Sequence, residues 1–286
     1  MMKNIFLTVC SLLIFTAIAT AQNVQKDVQK HELSIYGLGG YSSVGYTLDG
    51  NGSKSNSIGG GAGLGYTFNI NPSLGIVTGV EMTMYSSEAS YDRLSKEYTT
   101  GTGEDLLRFT YSVNNYKEAQ SIRLFSIPLM AQYSLPLGGG STRFFASGGF
   151  KLGFPVTAKA DITPGTATTL GYYAHEDITY VNLPQHGFVN NAKLPDVSRD
   201  IDLGFSASLA LETGVRFALT DKIGLYTGLY FDYGLNSIQK VNDRHLLEYD
   251  VANESSFRYS SVLNTVLTDK VNLLSIGLKL RISLRL

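Results

Sequence analysis

The side chains able to do acid–base or nucleophilic chemistry are few. Histidine occurs at His31, His175, His186 and His245, and the only cysteine is Cys10. None of the histidines stands in an HxH or HExxH pattern, and one cysteine cannot build a Cys-based zinc site or an intrachain disulfide. His175-Glu176-Asp177 and Asp243-Arg244-His245 put a base beside acids. Either could serve a hydrolase at the rim of a larger fold, but only if a nucleophile met it in space, and no local spacing enforces that contact. The alternating glycines from Gly59 to Gly65 invite a phosphate-loop reading. That reading fails, because GxGxxG begun at Gly59 needs glycine where Leu64 stands, and no helix pattern follows. No catalytic, cofactor-binding or metal-ligating residue is expected, and no enzyme.

Composition narrows the class further. The 286 residues carry 23 basic against 24 acidic side chains, a net charge of -1, which lacks the basic excess of a nucleic-acid binder. With 43% hydrophobic and 16% charged residues the chain is too apolar for disorder. Thirty glycines, 18 tyrosines and 14 phenylalanines without tryptophan suit a β-rich chain with many turns.

The elements that must position these residues begin after an address segment. Lys3, the apolar run from Ile5 to Ile18 and the small-x-small site Ala19-Thr20-Ala21 read as a secretory signal peptide cleaved near Ala21. Residues 22–30 form a short N-terminal periplasmic segment, and residues 31–286 are one transmembrane barrel domain. Within that domain period-two alternation dominates. Leu274, Ile276, Leu278, Leu280, Ile282 and Leu284 face one way, while Ser275, Gly277, Lys279, Arg281, Ser283 and Arg285 face the other. Eight such segments are expected, near 31–41, 57–70, 73–85, 121–136, 142–155, 201–218, 222–235 and 270–286. Their connectors alternate between tight turns (Asn69 to Ser73, Gly138 to Ser141, Thr220-Asp221) and long polar loops near 42–56, 86–120, 156–200 and 236–269.

This pattern predicts an all-β, antiparallel up-and-down transmembrane β-barrel of about eight strands. Its short turns would be periplasmic and its long loops extracellular, in the outer membrane of a Gram-negative bacterium. Pro128 predicts a bulge or bend in the fourth strand. Phe68, Tyr133, Phe217 and Phe231 are the expected interfacial rings. The glycine lane Gly59 to Gly65 leaves room on the interior wall for large side chains from opposite strands. Loop tyrosines such as Tyr91, Tyr98, Tyr111 and Tyr116 either form a binding surface or pack within extended loops.

Polar parity places Glu32, Glu81, Asp202, Glu212 and Asp232 inside, with Arg143, Lys151, Arg216, Lys279, Arg281 and Arg285. These five acids and six bases predict a paired plug in place of an open pore. Glu81, Glu212, Lys279 and Arg281 should share a middle layer. Glu32, Arg143, Arg216 and Arg285 should lie at the periplasmic rim, each with an opposite partner.

Two stretches carry a family resemblance. Leu124-Phe125-Ser126-Ile127-Pro128-Leu129-Met130-Ala131-Gln132-Tyr133, a glycine turn, then Ala146-Ser147-Gly148-Gly149-Phe150-Lys151-Leu152-Gly153 resembles the PorT-like outer-membrane β-barrel family of Bacteroidota. Gly214-Val215-Arg216 and Tyr230-Phe231-Asp232-Tyr233-Gly234-Leu235-Asn236 look like that family's later strands. The resemblance implies an outer-membrane barrel of about eight strands. It also implies, for some members, a link to protein secretion, with no residue here carrying that role. The chain departs from many such barrels in ending on Leu286 where an aromatic residue would be read by the assembly machinery. The expected partners are the lipid bilayer, that assembly machinery and a surface protein or glycan. The expected role is structural or surface-interacting, carried by the loops. A narrow pore or secretion accessory, and a rim hydrolase, are the alternatives.

Overall fold

The computed structural model describes residues 30–286 apart from 103–105, 139–140, 251–252 and 254–255. The signal-peptide reading and nearly all of the 22–30 segment lie outside the described residues.

Fourteen strands follow in chain order: β1 (His31–Gly45), β2 (Ser53–Asn69), β3 (Leu74–Thr100), β4 (Leu107–Pro136), β5 (Thr142–Thr163), β6 (Thr166–Tyr173), β7 (Ile178–Val181), β8 (Ala192–Lys193), β9 (Val197–Asp200), β10 (Ser206–Ala218), β11 (Ile223–Gly234), β12 (Leu247–Tyr249), β13 (Phe257–Tyr259) and β14 (Asn272–Arg285). Eight of them close on themselves in the order β1-β2-β3-β4-β5-β10-β11-β14, each antiparallel to its neighbours. The pairing of β4 with β5, from Lys117↔Thr163 to Pro136↔Arg143, completes the ring. A closed ring leaves no unpaired strand edge, which is the condition for placing a sheet in hydrocarbon.

The sequence dictates the turns at one end. Asn71 Oδ1 accepts from the backbone N–H of Ser73 and Leu74, both at 2.8 Å, folding the link between β2 and β3. Gly138, at φ 65°, turns β4 into β5, and Thr220 Oγ1 accepts from Ile223 N at 2.9 Å to turn β10 into β11. We call this the turn end. The opposite, loop end carries the long connectors.

Alternation sorts the two faces of the ring. Ile35, Leu64, Val80, Leu129, Phe150, Leu211, Leu229 and Leu278 stand exposed on the outside. An apolar belt of this extent is out of place in water and matched to lipid. Inside, Glu32, Glu81, Lys151, Glu212, Arg216, Asp232, Lys279 and Arg281 are buried. Phe68, Tyr133 and Phe217 lie on the outer face near the turn end, whereas Phe231 lies nearer the loop end and stacks on Tyr233.

Three expectations need correction. The connectors 86–120 and 156–200 are mostly strand, because β3 and β4 run on as a tall hairpin joined by β6 and β7, while β9 pairs with β5. Pro128 makes no bulge and pairs in register with Lys151; the shift in β4 falls between Arg123 and Leu124, beside Pro155 of β5. Asp202 is not an interior strand residue, since β10 begins at Ser206; its half-exposed carboxylate pairs with Arg244 at 2.7 Å.

The tall hairpin changes face at Asn115, whose φ of 58° is a conformation that asparagine tolerates better than most residues. Below it the even-numbered side chains Glu118, Gln120 and Ile122 are buried, and above it the odd-numbered Leu107, Phe109, Tyr111 and Val113. That switch lets the extension fold over the barrel mouth and share an apolar core with Ile162, Phe188, Ile201, Leu247 and Val262.

Candidate functional site: a charged lumen under a folded cap

The middle of the lumen is an ion-paired cluster. Lys151 of β5 reaches across to Glu81 of β3 at 2.9 Å and Asp232 of β11 at 2.8 Å. Lys279 of β14 pairs with Glu212 of β10 and stands 3.9 Å from the second oxygen of Glu81. Its ammonium also lies 3.8 Å from the centroid of Tyr36, a cation–π contact. Two lysines therefore serve three carboxylates, the five residues coming from five strands of the ring.

Tyr36 explains the glycine lane. A Cβ on Gly63 would come within 2.4 Å of the tyrosine ring and 2.6 Å of the Val80 carbonyl oxygen. The bare lane thus seats a ring from the adjacent strand β1, not from an opposite strand as the pattern suggested. Beneath this layer, Phe145, Glu212, Tyr226 and Lys279 leave a void of only about 10 Å³, room for about one water.

Arg281 does not join the carboxylate layer. It donates to Gln132 Oε1 at 2.8 Å and lies on the Tyr226 ring, 3.9 Å from its centroid. At the turn end, Arg285 Nε is 3.5 Å from Glu32, whose other oxygen accepts from the Tyr226 hydroxyl at 2.8 Å. Arg143 and Arg216 face each other on β5 and β10 with no carboxylate partner among the described residues, contrary to the expected pairing.

The top of the lumen is closed by the chain itself. A 3-10 turn, Val262–Asn264, sits in the mouth with all three residues buried. Glu118 holds it there. Its carboxylate accepts from Ser261 Oγ at 2.5 Å, Val262 N at 2.9 Å, Tyr116 OH at 2.6 Å and Gln120 Nε2 at 2.8 Å. Burial pushes the Glu118 carboxyl above the usual range, and these donated bonds oppose the push. Gln120 also accepts from Ser87 and Tyr46, at 2.5 and 2.9 Å. Sequence reasoning missed Glu118 because it lay in a presumed loop. The signal was the alternation Tyr116, Glu118, Gln120, Ile122 running unbroken into the strand below.

Above the turn, aromatic stacking makes the cap one body. Phe188 stacks on Tyr249 at 5.7 Å and 4°, and Tyr98 on His245 at 3.9 Å and 8°. Tyr91, Tyr111 and Tyr116 are buried in it, so these tyrosines pack within the extension and form no outer surface. At its tip an open cleft of about 480 Å³ is lined by Tyr98, His245, Glu248, Asp250 and Arg258, with Arg258 paired to Asp250 at 3.0 Å. His175 stands exposed in the turn between β6 and β7 and makes no hydrogen bond among the described residues.

Comparison with known proteins adds the family. A model for the outer membrane protein beta-barrel domain matches residues 8–262. No curated protein matches the chain. Among solved structures it is similar to Neisserial surface protein A, NspA, with 12% identity, coverage of 91% of this chain and 98% of that one, and a TM-score of 0.37. OprG from Pseudomonas aeruginosa gives 13% identity, coverage of 89% and 99%, and a TM-score of 0.35. Ail of Yersinia pestis, solved with the heparin analogue sucrose octasulfate, gives 15% identity, coverage of 88% and 99%, and a TM-score of 0.27.

Proposed function

The chain belongs to the outer membrane protein beta-barrel domain family, and from that premise we propose that it is a closed, non-enzymatic outer-membrane barrel acting through its folded cap. The observation that carries this reading is the double closure of the lumen. The Glu118-held turn fills the mouth, and the Lys151 and Lys279 cluster fills the middle. A small eight-stranded barrel has an interior that side chains just fill. The sealed lumen counts against a narrow pore. The engagement of His245 with Tyr98 and the lone, exposed His175 count against a rim hydrolase.

The turn end faces the periplasm and the cap faces out of the cell, as in other barrels with short turns and long loops. The mature chain starts after Ala21, is inserted by the outer-membrane assembly machinery, and meets a surface protein or glycan at the cap. PorT-like membership within the family is supported by the placement of its motif residues on β4, β5, β10 and β11. A secretion accessory role would follow from that membership alone.

Photo-crosslinkers at Arg108, Tyr172 and Arg258 on the cap surface test the reading in intact cells. Crosslinks to a surface protein or glycan are expected. Crosslinks confined to periplasmic proteins would overturn both the orientation and the role.

A further inference from the structure

The turn end of the lumen holds more positive charge than the chain neutralises. Arg143 and Arg216 face each other across β5 and β10, while Arg281 and Arg285 come from β14. Glu32 is the one carboxylate paired in this tier among the described residues, and Arg285 and Tyr226 use it. Arg281 also bears on Glu212 of the layer above, so three guanidinium groups, of Arg143, Arg216 and Arg285, stand against the one carboxylate of Glu32, an excess of two positive charges (3 − 1). The like charges that bear on Arg143 are those of Arg216 and Arg285.

The other arginines have acceptors. Arg281 has Gln132, and Arg143 donates to the carbonyl oxygens of Pro72 and Ser134, at 2.5 and 3.1 Å. Arg216 is different. It is 3% exposed, and its Nε and Nη2 are buried with no acceptor. Its seat is built. A Cβ on Gly224 would fall 2.8 Å from Nη2 and 2.9 Å from Nε, so the guanidinium occupies the space that glycine leaves open. The Tyr226 ring flanks it, with its centroid 5.5 Å from Cζ. The tier opens toward the turn end, where the Arg285 side chain is 31% exposed.

A buried guanidinium without an acceptor, beside like charges, is costly. An oxyanion from outside the chain would remove that cost. Guanidinium forks match phosphate oxygens two at a time, and a dianion answers the charge excess better than a monoanion. We propose that the turn-end mouth of the lumen is an oxyanion site for a phosphate-class anion. The anion is held between Arg216 and Arg143, with Arg285 at the rim. A soluble phosphate ester and the headgroup of an anionic lipid share this chemistry.

The test titrates inorganic phosphate into the full-length mature barrel in zwitterionic nanodiscs, against chloride at matched ionic strength. Calorimetry reads binding and thermal melting reads stabilisation. Saturable phosphate binding and a raised Tm are expected, with affinity weakened about tenfold by Arg216→Gln or Arg143→Gln. Gly224→Ala keeps every charge and crowds the guanidinium and the Ser283 hydroxyl, so it should weaken binding even if Arg216→Gln does not fold. Arg258→Gln in the cap should bind as the unmutated chain does. A second arm uses phosphatidylglycerol nanodiscs. A Tm already raised there, with phosphate no longer able to add to it, assigns a lipid headgroup as the source. An unchanged phosphate response in that arm assigns a soluble anion. Indistinguishable phosphate and chloride responses in both lipids, or unchanged binding by Arg143→Gln and Gly224→Ala, would overturn the site.

Discussion

Lys151 is the residue whose removal should be felt most, because it stands between two buried carboxylates, Glu81 and Asp232. Lys151→Met leaves both short of a counter-charge, and breaking a buried pair costs about 3–5 kcal/mol, less where water enters. Lys96→Met removes an exposed pair with Asp49, and solvent-screened surface pairs contribute little. Urea unfolding of the refolded barrel should separate the two variants clearly; equal midpoints would mean the lumen is wet enough to screen its charges. Gly63→Ala sets a second contrast. The added Cβ would meet both the Tyr36 ring and the Val80 carbonyl oxygen, an overpacking worth about 1–3 kcal/mol. Gly39→Ala, whose nearest neighbour would be 3.9 Å away, should leave the midpoint nearly unchanged in the same assay. Polar parity along the strands located Lys151, Glu81, Glu212, Asp232 and Lys279. It could not say that Arg281 turns to Gln132 and Tyr226, since that depends on which walls face one another across the ring.

At the scale of elements, the Glu118 latch ties the turn Val262–Asn264 to β4. It lies beyond the apolar belt, so its protonation answers to the outside medium. Its folded-state pKa is raised, so its contribution is fully present below the unfolded value and lost as pH rises through the folded one. Raising the pH through that window, upward from about 4.3, should therefore lower the protection of the 262–268 amides, read as exchange relative to the intrinsic base-catalysed rate at each pH. Glu118→Gln should abolish that loss of protection, and a pH-dependent protection that survives the substitution would place the titrating group elsewhere. The eight ring strands were legible because alternation and turn residues such as Asn71, Gly138 and Thr220 act locally. The extension of β3 and β4 was not. Its surplus polar residues, Ser86 to Ser95 and Thr110 to Gln120, resemble a loop. What makes it strand is burial against distant segments around Phe188 and Val262. The parity switch at Asn115 further hides the alternation by moving the buried face from odd to even numbers.

The whole molecule is a ring whose outside is matched to lipid, whose inside neutralises most of its own charge, and whose mouth is filled by its own chain. Ion passage would require breaking the Lys151 and Lys279 pairs and lifting the 262–264 turn together, each held by buried polar contacts. The central claim is therefore that the barrel is sealed. Recording from the purified, unmutated barrel in planar bilayers tests it most directly. No steady openings are expected across the voltage range the bilayer tolerates. Steady large-conductance openings in that unmutated protein would contradict the sealed lumen and favour the narrow-pore alternative.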